Sequence, residues 1–123
     1  MKFHSHIFVS FLIGLFLFSA TLWAGEYRVI EPSELKAMQT KKDFFLLDVH
    51  IPEQVHIPGT DAFIDYRKIK ENADKLPEDK NTKIVVYCRS GSMSHSAAYD
   101  LMKLGYTNVY DLSGGIRAFN ATP

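Results

Sequence analysis

One cysteine, Cys88, and one tryptophan, Trp23, are all that this 123-residue chain has of either type. A lone thiol excludes an intramolecular disulfide. It also argues against disulfide oxidoreduction, which uses a second, resolving thiol. Charge of neither sign is in excess: 14 Lys and Arg balance 14 Asp and Glu. Such a balance leaves no electrostatic footprint for nucleic acid, so no nucleic-acid partner is expected. The charged stretch from Arg67 to Lys83 mixes signs and reads as solvated surface. The chain has no internal repeat and no low-complexity tract. Its long apolar run is confined to the N-terminus.

That run, Ile7 to Ala24, is 18 residues without charge, preceded by a short polar stretch that includes Lys2. Leu22-Trp23-Ala24 places a small residue before Gly25-Glu26, the order of a signal-peptide cleavage site. The length lies between a signal core and a membrane span, so a cleaved signal peptide and an uncleaved anchor both stay open for residues 1–24. Either reading exports residues 25–123, to a periplasm in a Gram-negative cell, with a possible membrane tether through residues 7–24. No cysteine lies near the cleavage site, which excludes lipidation there. Residues 25–123 are enough for one small domain with its own core.

Within that domain, short apolar runs alternate with helical patterns. Strands are predicted at 27–30, 44–49, 62–64, 83–87 and 108–110. Pro32 opens a helix, with Glu31 or Ser33 near its cap. A short helix is expected over 66–73, ending before Pro77. The helix over 94–104 carries Ala97, Ala98, Leu101 and Leu104 on one face, with Gly105 at its end. A last short helix follows Ser113-Gly114-Gly115 and contains Ile116 and Phe119. Strands buried on both faces, alternating with helices, predict an α/β fold: a mostly parallel central sheet with helices on both faces. Ligands of such sheets bind beyond the carboxyl ends of the strands, where Asp48 and Cys88 fall.

Cys88 ends the strand 83–87 and begins a polar loop, Cys88-Arg89-Ser90-Gly91-Ser92-Met93, that leads into a helix. A thiol so placed meets backbone N–H groups and the positive end of a helix dipole, and both favour thiolate. A buried, inert cysteine is the alternative, less suited to a Ser/Gly-rich turn.

Four segments, in order, now carry a family likeness. They are Leu46-Leu47-Asp48-Val49; His56-Ile57-Pro58-Gly59-Thr60; Val86-Tyr87-Cys88-Arg89-Ser90-Gly91; and Gly105 to Tyr110 followed by Leu112-Ser113-Gly114-Gly115-Ile116. Together they resemble the single-domain rhodaneses, a sulfurtransferase family, across nearly the whole of 25–123. The resemblance implies a rhodanese-like fold, no cofactor, and double displacement through a persulfide on Cys88. The donor would be a small sulfur-containing anion such as thiosulfate, and the acceptor a thiol or cyanide. Amides from Arg89 to Met93 would converge on the sulfur, helped by the hydroxyls of Ser90, Ser92 and Ser94. Gly91 would let the backbone turn inward where a Cβ clashes. Arg89 would hold the sulfonate or point to solvent.

The chain departs from the family pattern at three places. Ser92 and Met93 stand where many members have a basic residue. His50 stands where an arginine often follows the Asp-Val pair, and it would pair with nearby charges only when protonated. The segment between Asp48 and His56 is shorter than in many members. The loop is also one residue shorter than in phosphatases of this fold and lacks their closing arginine, which favours sulfur over phosphate ester. Asp48 is expected to bond loop amides, His56 to begin a turn and bond backbone, and His95 to face solvent. Tyr66, Tyr106 and Tyr110 read as core or rim aromatics. Cys88, His50, His56 and His95 match no compact zinc spacing, so no metal is expected. A weakly active sulfur carrier or partner-binding module is the alternative to an enzyme.

Overall fold

The structure, a computed structural model, describes residues 26–123. The segment 1–24, read above as a signal peptide or anchor, lies outside the described residues. Five strands form one sheet: β1 (Arg28–Ile30), β2 (Phe45–Asp48), β3 (Ala62–Phe63), β4 (Ile84–Tyr87) and β5 (Val109–Leu112). Their spatial order is β1-β5-β4-β2-β3 and every pairing is parallel. Parallel neighbours require crossovers, and helices α1 (Pro32–Gln39), α2 (Ser92–Lys103) and α3 (Gly115–Ala121) lie in them or close the chain.

The apolar runs of β2 and β4 explain their central place. Leu46, Leu47 and all four residues of β4 are buried, as a strand covered on both faces requires. The side chains divide by parity. Leu47, Ile84, Val86 and Val109 pack with Ala97, Ala98 and Leu101 of α2. Leu46, Val85, Tyr87 and Leu112 pack with Leu35 of α1 and Phe119 of α3. Helices therefore cover both faces, as the alternating pattern predicted.

Several boundaries differ from the sequence reading. The segment 66–73 is not one α-helix but two 3-10 turns, Tyr66–Lys68 and Lys70–Lys75, with a kink at Asn72. Helix α2 begins at Ser92, two residues early, so Ser92 and Met93 are in its first turn rather than in a loop. Strand β5 runs on to Leu112 and takes in Asp111. Flanking strands impose that extension: Asp111 stands opposite Val86 of β4 and Val29 of β1, and its carboxylate is buried on the face of Val86. At α1, Glu31 is the cap residue, its N–H donating to Glu34 Oε1 at 3.2 Å.

Register then sets the site. Asp48 lies opposite Tyr87, so the carboxyl ends of β2 and β4 are side by side and Cys88 follows directly.

Candidate functional site

Cys88 leaves β4 and the chain turns at Gly91, whose φ of 121° belongs to glycine. The turn brings the Gly91 N–H onto Cys88 Sγ at 3.0 Å. The thiol lies 3.4 Å from Ser94 Oγ, and that hydroxyl donates to the Gly91 carbonyl at 3.1 Å. Cys88 and Ser94 are both buried, at 1% and 0% exposure. The sulfur thus faces one amide and one hydroxyl at the N-terminal end of the 12-residue helix α2.

This is narrower than the convergence of amides predicted from Arg89 to Met93. Among the described residues, the hydrogen-bond partners of the sulfur are Gly91 N and Ser94 Oγ. Ser90 and Ser92 are exposed, and Met93, in the first turn of α2, is half-buried against the core. Helical geometry is the reason: once α2 begins at Ser92, its side chains fan around the axis, and position 94 is the one buried against Cys88. The reason for Gly91 also changes. A Cβ there would meet nothing closer than Gly114 N at 3.8 Å, so the backbone angle, not space, requires glycine.

Space is the constraint at Gly115. A Cβ on it would lie 2.5 Å from the Cys88 oxygen and the Arg89 carbonyl carbon. This close approach lets the first turn of α3 grip the loop: Ile116 N–H donates to Cys88 O at 2.9 Å and Arg117 N–H to Arg89 O at 3.0 Å. The Gly114-Gly115 pair was legible as a turn, but its contact with the thiol loop was not.

On the β2 side, Asp48 is fully buried and fully partnered. Its carboxylate accepts from His50 N at 3.0 Å, from Gln54 Nε2 at 3.2 and 3.3 Å, and from His56 Nδ1 at 2.8 Å. Loop amides were expected; Gln54 and His56 were not. The His56 ring spans two carboxylates, its Nε2 lying 3.1 Å from Glu53 Oε2, so its side chain does not bond backbone as predicted. The hydrogen bond to Asp48 holds the His56 pKa above the ordinary histidine value; burial opposes this and Glu53 adds to it. His50 does not take the place of an arginine among charges. It is buried, and its Nδ1–H donates to the Pro52 carbonyl at 2.8 Å. Tyr87 ties this segment to β4: its hydroxyl accepts from Ile57 N–H at 2.9 Å and lies 2.7 Å from Thr60 Oγ1. Burial holds its phenol well above the usual tyrosine range.

Arg89 is exposed and lines a groove of about 570 Å³ with Gln54, His56, Ile116 and Arg117. The groove therefore joins the β2 turn, the thiol loop and α3, and presents two guanidinium groups. Among the described residues, neither Arg89 nor Arg117 has a carboxylate within 4.0 Å. Arg117 was not singled out from sequence, because nothing local ties the terminal helix to the loop. His95 is exposed as expected, but its ring contacts Tyr27 and Asp111 rather than Cys88.

Residues 31–122 match the Rhodanese-like domain family. The chain is 31% identical over 98 residues to the thiosulfate sulfurtransferase GlpE of Coxiella burnetii, spanning 77% of this chain and 89% of that protein. It is 34% identical over 92 residues to the tRNA uridine(34) hydroxylase of Cytophaga hutchinsonii, spanning 71% of this chain but 30% of that protein. A solved rhodanese-related protein from Thermoplasma volcanium superposes with a TM-score of 0.66 at 28% identity, covering 77% of this chain and 92% of that one.

Two outcomes are expected. Gly115→Ala should lower stability by about 2–3 kcal/mol, because backbone must separate, whereas Gly91→Ala should cost about 1–2 kcal/mol of backbone strain. Urea denaturation of both variants measures the order, and a milder effect at Gly115 contradicts the clamp. The His56 pairing stabilises the fold below about pH 6.5, and its contribution is lost as pH rises through the raised His56 value. The melting temperature of wild type should therefore fall relative to His56→Gln across that rise. A constant difference between the two curves would refute the pairing.

Proposed function

Because the chain belongs to the rhodanese-like domain family, we propose that it is a sulfurtransferase that carries a sulfane sulfur on Cys88. The observation that carries this reading is the placement of the single thiol. Its sulfur accepts the Gly91 N–H at 3.0 Å at the head of α2, where anionic sulfur is stabilised as thiolate and as persulfide.

In the first half-reaction the Cys88 thiolate attacks the outer sulfur of a thiosulfate-type donor. The donor S–S bond breaks, sulfite leaves with its electron pair, and Cys88–S–S⁻ remains. In the second, cyanide or a thiolate acceptor attacks the outer sulfur and Cys88 thiolate is released. Arg89 and Arg117 are suited to hold the anionic donor, as a guanidinium matches oxyanion geometry. His56, its ring against Asp48 and Glu53, sets the opposite wall of the groove.

A second reading has one observation in its favour. Cys88 is 1% exposed, so a donor reaches the sulfur only if the loop yields. A sulfur carrier with slow turnover would tolerate that burial. Both readings require Cys88, and they separate by rate.

Intact mass after brief exposure to thiosulfate should rise by one sulfur atom, fall back on adding cyanide as thiocyanate forms, and stay unchanged in Cys88→Ala. Uptake by Cys88→Ala would end the proposal. Label that is taken up but released only slowly would favour the carrier. Export is part of the same proposal and is motivated by the apolar run Ile7 to Ala24. The protein should be recovered from the cell envelope, either shortened by 24 residues or membrane-bound at full length. Full-length protein in the cytoplasm would refute it.

A further inference from the structure

Granted that the groove beside Cys88 holds the anionic donor, as the sulfur-transfer reading requires, we propose that His56 determines its preference for anions. Held as an imidazolium between Asp48 and Glu53, the ring supplies the excess positive charge that the groove offers, and Glu53 is the residue that positions it.

The surroundings of the ring decide its protonation. Nδ1 lies 2.8 Å from Asp48 Oδ2, and Nε2 lies 3.1 Å from Glu53 Oε2. An ionised carboxylate only accepts hydrogen bonds, and a neutral imidazole has a single N–H. A ring that satisfies both carboxylates therefore carries both protons. The same contacts raise its pKa: the bond to Asp48 acts most, burial opposes it, and Glu53 adds to it.

The two carboxylates play unequal parts. Asp48 is fully buried and is also fixed by the His50 N–H and by Gln54. Glu53 is 58% exposed, and among the described residues its carboxylate bonds the ring alone. The ring proton is therefore lost from Nε2, on the solvent side. Nδ1–H stays with Asp48, where an unpaired buried oxygen would be costly. In that step the Nε2–H bond breaks, its electron pair stays on nitrogen, and the proton goes to water. Glu53 is left facing a lone pair.

No other carboxylate offsets the change. Among the described residues that line the groove, the charged or titratable ones are Arg89 after β4, Arg117 on α3, and His56. From β3 the ring meets Phe63, uncharged, with centroids 6.0 Å apart. Tyr87 of β4 bonds the neighbouring Ile57 N–H and stays neutral, because burial holds its phenol well above the usual tyrosine range. His50 meets Asp48 with its backbone N–H and turns its ring to the Pro52 carbonyl. With the His56 ring charged, three cations stand against the carboxylates of Asp48 and Glu53. With the ring neutral, two stand against two, and the excess that attracts an anion is gone.

Thiosulfate binding to the Cys88→Ala protein, which cannot react, tests this apart from sulfur transfer. Calorimetry gives the affinity from about pH 5.5 to 8.5, and NMR of the ring C–H follows His56 over the same range. The ring is charged below its raised pKa, so affinity should be highest on the acid side. It should fall about threefold or more as pH rises through the His56 titration. Adding His56→Gln should leave affinity low and nearly flat. Adding Glu53→Gln should make the ring titrate at lower pH, with the fall in affinity moving alongside; this exposed substitution carries the test if His56→Gln does not fold. Methanethiosulfonate, with one negative charge on the same sulfur frame, should lose less affinity than the thiosulfate dianion. A ring that merely shaped the wall would weaken both alike. Equal losses for the two anions, thiosulfate binding that ignores the ring titration, or no thiosulfate binding at any pH would each overturn the assignment. Binding that follows the ring, in a protein whose wild-type form takes up no sulfur, would support His56 and refute the reaction proposed above.

Discussion

The carbonyls of Cys88 and Arg89 accept from Ile116 and Arg117 N–H groups at 2.9 and 3.0 Å, and this pins the thiol loop to the first turn of α3. Each such bond contributes about 1 kcal/mol, but their geometric effect is larger than their energy. They fix the loop from outside while Gly91 N–H fixes the sulfur from inside. The grip exists only because Gly115 has no side chain: its α-carbon lies where any Cβ would strike the loop backbone at 2.5 Å. The last helix of the chain is thus part of the wall that shapes the thiol site, and it brings Arg117 to the same groove as Arg89.

Two buried carboxylates flank the thiol strand, and they are treated differently. Asp48, at the end of β2, accepts from His50, Gln54 and His56, and the ring of His56 continues to Glu53. That network organises the turn that faces Arg89 across the groove. Asp111, on β5, has one oxygen without a partner among the described residues and only a distant imidazole near the other. Leaving a buried polar atom unpaired costs on the order of 1–3 kcal/mol, and more for a charged group. A carboxylate whose oxygens are all partnered holds the β2 turn in place. The parallel register places the two on neighbours of β4, one on each side of the strand that ends in Cys88.

Much of this was readable from the chain alone. The run at 44–49, the strand before Cys88, the apolar face of Ala97, Ala98 and Leu101, and the glycine turns specify a mostly parallel α/β sheet, because hydrophobic period and turn chemistry depend on residues close in sequence. The sequence likewise determined that one thiol stands at a strand-to-helix junction and that Asp48 stands at the end of another strand, while register placed the two side by side. It did not reveal which hydroxyl meets the sulfur, since Ser90, Ser92 and Ser94 are alike until the start of α2 is known to the residue. Asp111 lies beyond the strand expected at 108–110, and only pairing with β4 and β1 carries it inside. The contact of Tyr27 with His95 joins positions 68 apart, and the grip of Gly115 on Cys88 depends on where α3 docks. Local pattern fixed the elements and the place of the thiol at a strand end; the partners of that thiol were decided by register and docking, because they come from strands and helices whose separation in sequence carries no trace of their distance in space.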